Sequence, residues 1–204
     1  MYKLIPNQDR SALGFKKEVL CYFNFLIKEY AFRLITEEET QVSFESDKVL
    51  INVYHELLSY ELIFEIGIKP SALGLIESKY TLSEIVELGN GQSDTKNVFF
   101  QASTASGVKK CISKMADLVN QYAQGALVGD KLVYEKLKLL QKHKSDKLIN
   151  EMKLSRIRSK AEKLWKDKSY EQYINLYEGS QIELSIIELK KLEYAKKHIK
   201  ESTI

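Results

Sequence analysis

The spacing of apolar residues changes period twice along this chain, and that double switch constrains the fold more than any other feature. Between residues 12 and 35, Phe15, Val19, Tyr22, Phe23, Leu26, Ile27 and Tyr30 recur at three- and four-residue intervals. Lys16, Lys17, Glu18, Lys28 and Glu29 mostly fill the gaps, as in an amphipathic helix. The acidic run Glu37-Glu38-Glu39 marks its expected end. Period two then takes over. Val42 and Phe44, then Val49, Ile51 and Val53, then Leu62, Phe64 and Ile66 alternate with mixed or polar residues, which predicts three strands. Ser46-Asp47 makes a tight turn between the first two, and His55 to Tyr60 a looser one between the second pair. Such short connections force antiparallel pairing, so the strands form a meander with one wetted face and the first helix covering the other. Gly67 and Pro70 end the strand signal.

After this the helical period returns. Thr81-Leu82-Ser83-Glu84 has the spacing of a capping box and opens a short helix through about Leu88. Residues 89–94 read as a loop, and residues 98–103 fit a short strand or a helix start. From Ser106, Val108, Cys111, Ile112, Met115, Leu118, Val119 and Tyr122 outline a helix ending near Gly125. Leu132 to Trp165 outline one or two more. Capping-box spacings recur at Ser169-x-x-Gln172 and Ser185-x-x-Glu188, ahead of two final helices. The expected class is α+β, with an N-terminal helix packed on a short antiparallel β-meander and an all-helical C-terminal region. Gly129-Asp130 suggests the division: residues 1–128 as the helix-plus-sheet domain and residues 129–204 as a helical region packed on it. No 30–50-residue repeat recurs, so a solenoid is not expected.

Composition narrows the function classes. The 204 residues carry 31 Lys+Arg and 28 Asp+Glu, a formal charge of +3, with 44% hydrophobic residues, as in a globular protein. The near-neutral total hides an asymmetry. Residues 1–130 hold 13 basic and 17 acidic side chains, whereas residues 131–168 hold 13 basic and 5 acidic, a net of +8. No apolar run reaches membrane-spanning length, and residues 1–10 lack the apolar core of a signal peptide. The expected location is the cytoplasm, with no membrane partner.

Little in the sequence points to chemistry. His55, His143 and His198 come from different elements and have no ligand spacing, so surface or capping roles are expected, with no metal and no cofactor. Cys21 and Cys111 lie in apolar helical stripes and read as small hydrophobes. Gly89-x-Gly91 falls short of a dinucleotide turn. Ser103 to Gly107 fits a helix cap better than a phosphate cradle. A hydrolase built around His55 and nearby carboxylates is the least favoured class.

Two surfaces remain. Glu45, Asn52, Tyr54, Glu61, Ile63 and Glu65 project from the mixed face of the meander, an acidic face with aromatic and aliphatic anchors suited to a basic protein partner or, equally, to cover by the basic C-terminal helices. As an alternative, Lys153, Arg156, Arg158, Lys160 and Lys163, within the basic segment 131–168, could contact nucleic-acid phosphates.

A resemblance favours the first. Phe25-Leu26-x-x-x-Tyr30-x-Phe32, Val42-x-Phe44-x-Ser46, Val49-x-Ile51-x-Val53 and Ser59-x-Glu61-Leu62-x-Phe64-x-Ile66-Gly67 resemble the pattern of small bacterial α+β proteins, some of toxin-immunity type. The match covers residues 15–90 and consists of core and turn positions. Together with the acidic β face, the 12 tyrosines and the lack of a catalytic constellation, it points to a non-enzymatic protein-binding factor that neutralises a toxin or serves defence.

Overall fold

The computed structural model describes residues 10–69, 78–90, 98–180 and 182–202. The readings of residues 1–9, of Pro70 and of residues 91–94 lie outside them. The fold is α+β. A 3-10 turn, Arg10–Leu13, leads into helices α1 (Phe15–Tyr22) and α2 (Asn24–Tyr30). Five strands follow: β1 (Arg33–Glu37), β2 (Gln41–Glu45), β3 (Val49–His55), β4 (Leu62–Ile68) and β5 (Tyr80–Thr81). Then come α3 (Leu82–Asn90), α4 (Ala105–Tyr122), α5 (Gln124–Leu127), α6 (Lys131–Lys166), α7 (Tyr170–Glu178) and α8 (Ile186–Ser202). The sheet is antiparallel throughout, in the order β1-β2-β3-β4-β5.

The expected single helix over residues 12–35 is broken twice, and its last part is a strand. Phe23 leaves the helical backbone region at φ −93°, and its ring stacks on Phe44 and Phe64 at 6.4 and 6.0 Å between centroids. The second break is at Ala31, which caps α2 with φ 56° while its N–H donates to the Leu26 carbonyl. Alanine in this left-handed region carries no sequence signal, since glycine is the usual occupant. The chain then reverses into β1. This edge strand is short, ends in the charged residues Arg33 and Glu37, and shifts register between Leu34 and Thr36. All three features blunt an edge against pairing with other chains.

The dry face of the sheet carries Val42, Phe44, Ile51, Val53, Phe64 and Ile66, all buried together with Phe15, Val19 and Leu26 from the first helices and Ile112, Met115 and Val119 from α4. Parity along the strands thus places the core as the alternation predicts. The Thr81 box forms as expected: the Thr81 N–H donates to Glu84 Oε2 at 2.7 Å, and the Glu84 N–H to Thr81 Oγ1 at 3.4 Å. Ahead of α4, Thr104 is the N-cap and accepts from the Gly107 N–H. Residues 98–103 contribute only an isolated bridge, Glu61 to Gln101.

The chain forms two compact units, residues 1–141 and 142–204. The division falls within α6 rather than at Gly129-Asp130, because Tyr134 and Leu137 near the start of α6 are buried in the core of the first unit. The Tyr134 hydroxyl also donates to the Ala126 carbonyl. In the second unit, Ala161 of α6 packs with Tyr173 and Tyr177 of α7 and Ala195 of α8. Trp165 lies within 5.7 Å of the rings of Tyr170, Tyr173 and Tyr194. The Ser185 box forms, but Ser169 makes no side-chain cap bond. No helix among the described residues is long and apolar enough to cross a membrane.

Candidate functional site

Strand register brings the predicted face together row by row. Gln41, Tyr54 and Ile63 lie side by side across β2, β3 and β4. The next row is Ser43, Asn52, Glu65 and Thr81. A third runs from Arg33 through Glu45 to Leu50. Glu61, two residues before Ile63, has the same parity at the end of the face. All six candidates therefore share one side of the sheet, and Tyr54 and Ile63 are direct cross-strand partners.

Electrostatically the face differs from the expected acidic surface. The Glu45 carboxylate accepts from Arg33 Nε at 2.8 Å and from Lys69 Nζ at 2.8 Å. These bonds, that from Lys69 first, hold its pKa below the usual carboxylate range. Glu65 accepts from Lys79 Nζ at 2.9 Å. Bonding to Glu65 raises the Lys79 pKa, and its ammonium lies 5.9 Å from the centre of the Tyr54 ring. Burial in turn raises the Tyr54 pKa. Two of the three acidic candidates are thus neutralised within the first unit. The partners Arg33, Lys69 and Lys79 escaped sequence reasoning because each lies outside the three predicted strands.

Asn52 is not a free contact residue. It is 6% exposed, and its Oδ1 accepts from the Ser43 hydroxyl at 2.7 Å. Ser43 in turn accepts from Gln41 Nε2 at 3.2 Å. This chain of bonds satisfies buried polar groups, as burial requires, and braces β2 against β3. The face is therefore a preorganised, charge-balanced surface that carries the Tyr54–Ile63 pair.

His55 departs from the expected surface role. It is 1% exposed and stacks on Phe15 at 5.6 Å. Its Nε2 lies 2.9 Å from the Ala102 carbonyl oxygen, which only accepts, so Nε2 carries the proton. Nδ1 is then a bare acceptor, and it has no partner among the described residues. Burial pushes the imidazole pKa down, and the nearby Arg10 guanidinium adds to the effect. Parity could have located this residue, since His55 continues the series Ile51, Val53 on the dry face. The cysteine expectation also needs revision: Cys21 is exposed and Cys111 only partly buried. No group of three His, Cys, Asp or Glu among the described residues is placed to hold a metal ion.

The basic candidates split. Lys153, Arg156, Lys160 and Lys163, spaced three and four apart, share one exposed stripe of α6 and make no ion pair among the described residues. Arg158 lies off this stripe and forms a two-pronged pair with Glu188, Nε to Oε1 at 2.8 Å and Nη2 to Oε2 at 3.3 Å. It is a structural residue of the second unit rather than a free cation. Compared with known proteins, the chain matches no family model, no curated protein and no solved structure.

Proposed function

We propose that the chain is a non-enzymatic cytosolic factor that binds another protein through the outer face of its sheet, in a toxin-neutralising or defence-related role. The supporting observation is the Tyr54–Ile63 pair set among carboxylates that Arg33, Lys69 and Lys79 already neutralise. An aromatic and an aliphatic anchor inside a satisfied polar frame is the anatomy of an interface hot spot. Because the ion pairs are made internally, covering this face leaves fewer charges without partners. The resemblance over residues 15–90 supplies the toxin-neutralising part of the reading.

The test is a pull-down from an extract of the source cells, at low and high salt, with half of each sample treated with nuclease. The bait is the full chain, compared with a Tyr54→Ala/Ile63→Ser variant. The expected result is a protein partner that survives nuclease and salt and is depleted about tenfold or more by the variant. Recovery of nucleic acid alone, or of the same partner at full yield with the variant, overturns the proposal.

A further inference from the structure

Within the second unit, one side of α6 is committed to packing and the other is not. Ala161 is buried against α7 and α8, with Ile157, Leu164 and Trp165 half-buried on the same side. A helix turns about 100° per residue, which carries Leu148, Ile149 and Met152 to the side facing away. They are 58%, 48% and 50% exposed, and at i, i+1 and i+4 they make one apolar patch. Exposed cations flank it: Lys142 toward the N-terminus, and Arg156, Lys160 and Lys163 toward the C-terminus. Residues 142–160 carry seven basic and two acidic side chains, a net of +5.

From this juxtaposition we infer that the outward side of α6 is a docking surface for an amphipathic helix of another protein, apolar at its centre and acidic at both ends. Charge complementarity selects the occupant. A second copy of the chain is disfavoured, because pairing two α6 helices in either direction sets cations against cations. Nucleic acid suits the flanks but not the centre, where three aliphatic side chains offer phosphates no hydrogen bond and bases no aromatic platform. A lipid surface needs a longer apolar strip than three residues bordered by Ser145, Ser155 and Ser159. A partner helix fits best, its apolar ridge covering Leu148, Ile149 and Met152 and its carboxylates meeting the cations at each end. The surface shares no residue with the sheet face and stands whether or not that proposal holds.

Fluorescence anisotropy on the full chain at about 0.15 M salt provides the test. The probe is a labelled, designed amphipathic peptide of about 18 residues, with Leu at i, i+3, i+4 and i+7 and Glu at both ends. Comparison probes are a scrambled peptide of the same composition, a single-stranded DNA of about 20 nucleotides and anionic lipid vesicles. The amphipathic peptide is expected to bind at least about tenfold more tightly than its scrambled form. A Leu148→Gln/Met152→Gln variant and, separately, an Arg156→Gln/Lys160→Gln/Lys163→Gln variant should each lose that preference with unchanged far-ultraviolet circular dichroism. Equal affinity for the two peptides overturns the inference. So does tighter binding of DNA or vesicles than of the amphipathic peptide, or loss of affinity in the charge variant alone.

Discussion

Acidification should destabilise the second unit through one carboxylate, and the size of the effect follows from its surroundings. Glu188 accepts from the Ser185 N–H at 2.7 Å, from Arg158 at 2.8 and 3.3 Å, and from the Tyr177 hydroxyl at 3.3 Å. Burial alone would raise its pKa. The bonds from Ser185 and Arg158 outweigh that and carry it from 4.5 down to about 2. The gap is worth about 3 kcal/mol. Because 14% of the Glu188 side chain meets water, screening trims the contribution to about 2 kcal/mol. The sign is set by which state takes up the proton first. With the folded pKa depressed, the unfolded chain protonates earlier as pH falls. The stabilisation is therefore complete above about pH 4.5 and is lost on the way to about pH 2. Trp165, the sole tryptophan, sits in the aromatic cluster of the same unit and reports its unfolding. Urea titrations followed by its fluorescence, from about pH 6 to about pH 2.5, should show Glu188→Gln less stable than the parent by about 2 kcal/mol at the upper end. That difference should shrink toward zero at the lower end. A gap that stays constant across the range would refute the reasoning, since a lost hydrogen-bond geometry, unlike a lost charge, does not titrate.

Two predictions concern the first unit. His55 is buried with a depressed pKa, so the stability it contributes is complete above its ordinary 6.5 and declines as pH falls below it. The His55 ring should titrate below 6.5 by NMR, and His55→Gln should flatten the pH dependence of stability between about pH 7 and about pH 5. A ring that titrates at 6.5 or above would contradict the buried, neutral assignment. At Gly125, an added Cβ would lie 2.7 Å from Val133 Cγ2. Gly125→Ala should therefore destabilise by about 1–3 kcal/mol, although removing glycine from a helix ordinarily stabilises by about 1 kcal/mol. Thermal denaturation decides the sign, and adding Val133→Ala should recover part of the loss.

What could be read in advance followed parity and period. Alternation in residues 42–66 placed Phe44, Ile51, Val53 and Phe64 on one face and Tyr54, Ile63 and Glu65 on the other, because side-chain direction in a strand depends on nothing but residue count. The reversal at Ala31 was not legible. It rests on a left-handed alanine, and Leu34, Ile35 and Thr36 suit helix and strand alike until β2 is there to pair with them. Nor was charge balance legible, since Glu45 looks free until Lys69, 24 positions on, is brought to it. Ser169 and Ser185 share a spacing, yet only Ser185 forms the reciprocal bonds. Glu188 is held there by Arg158, on the neighbouring helix α6.

The strictly sequential strand order also shapes how the chain is made. Successive strands from β1 to β4 are joined by connections of three, three and six residues. Each strand therefore emerges during synthesis beside a partner already laid down, and the entropy of closing such short loops is small. The covering layer is delivered in two instalments. The helices α1 and α2 precede the sheet, but α4 ends about 54 residues after β4. At about 5–20 residues per second, that leaves an interval of about 3–11 s in which Phe64, Ile66 and their neighbours have only half their cover. In that window the dry face of the nascent sheet stays partly uncovered, and slowed translation between residues 68 and 122 would lengthen its exposure.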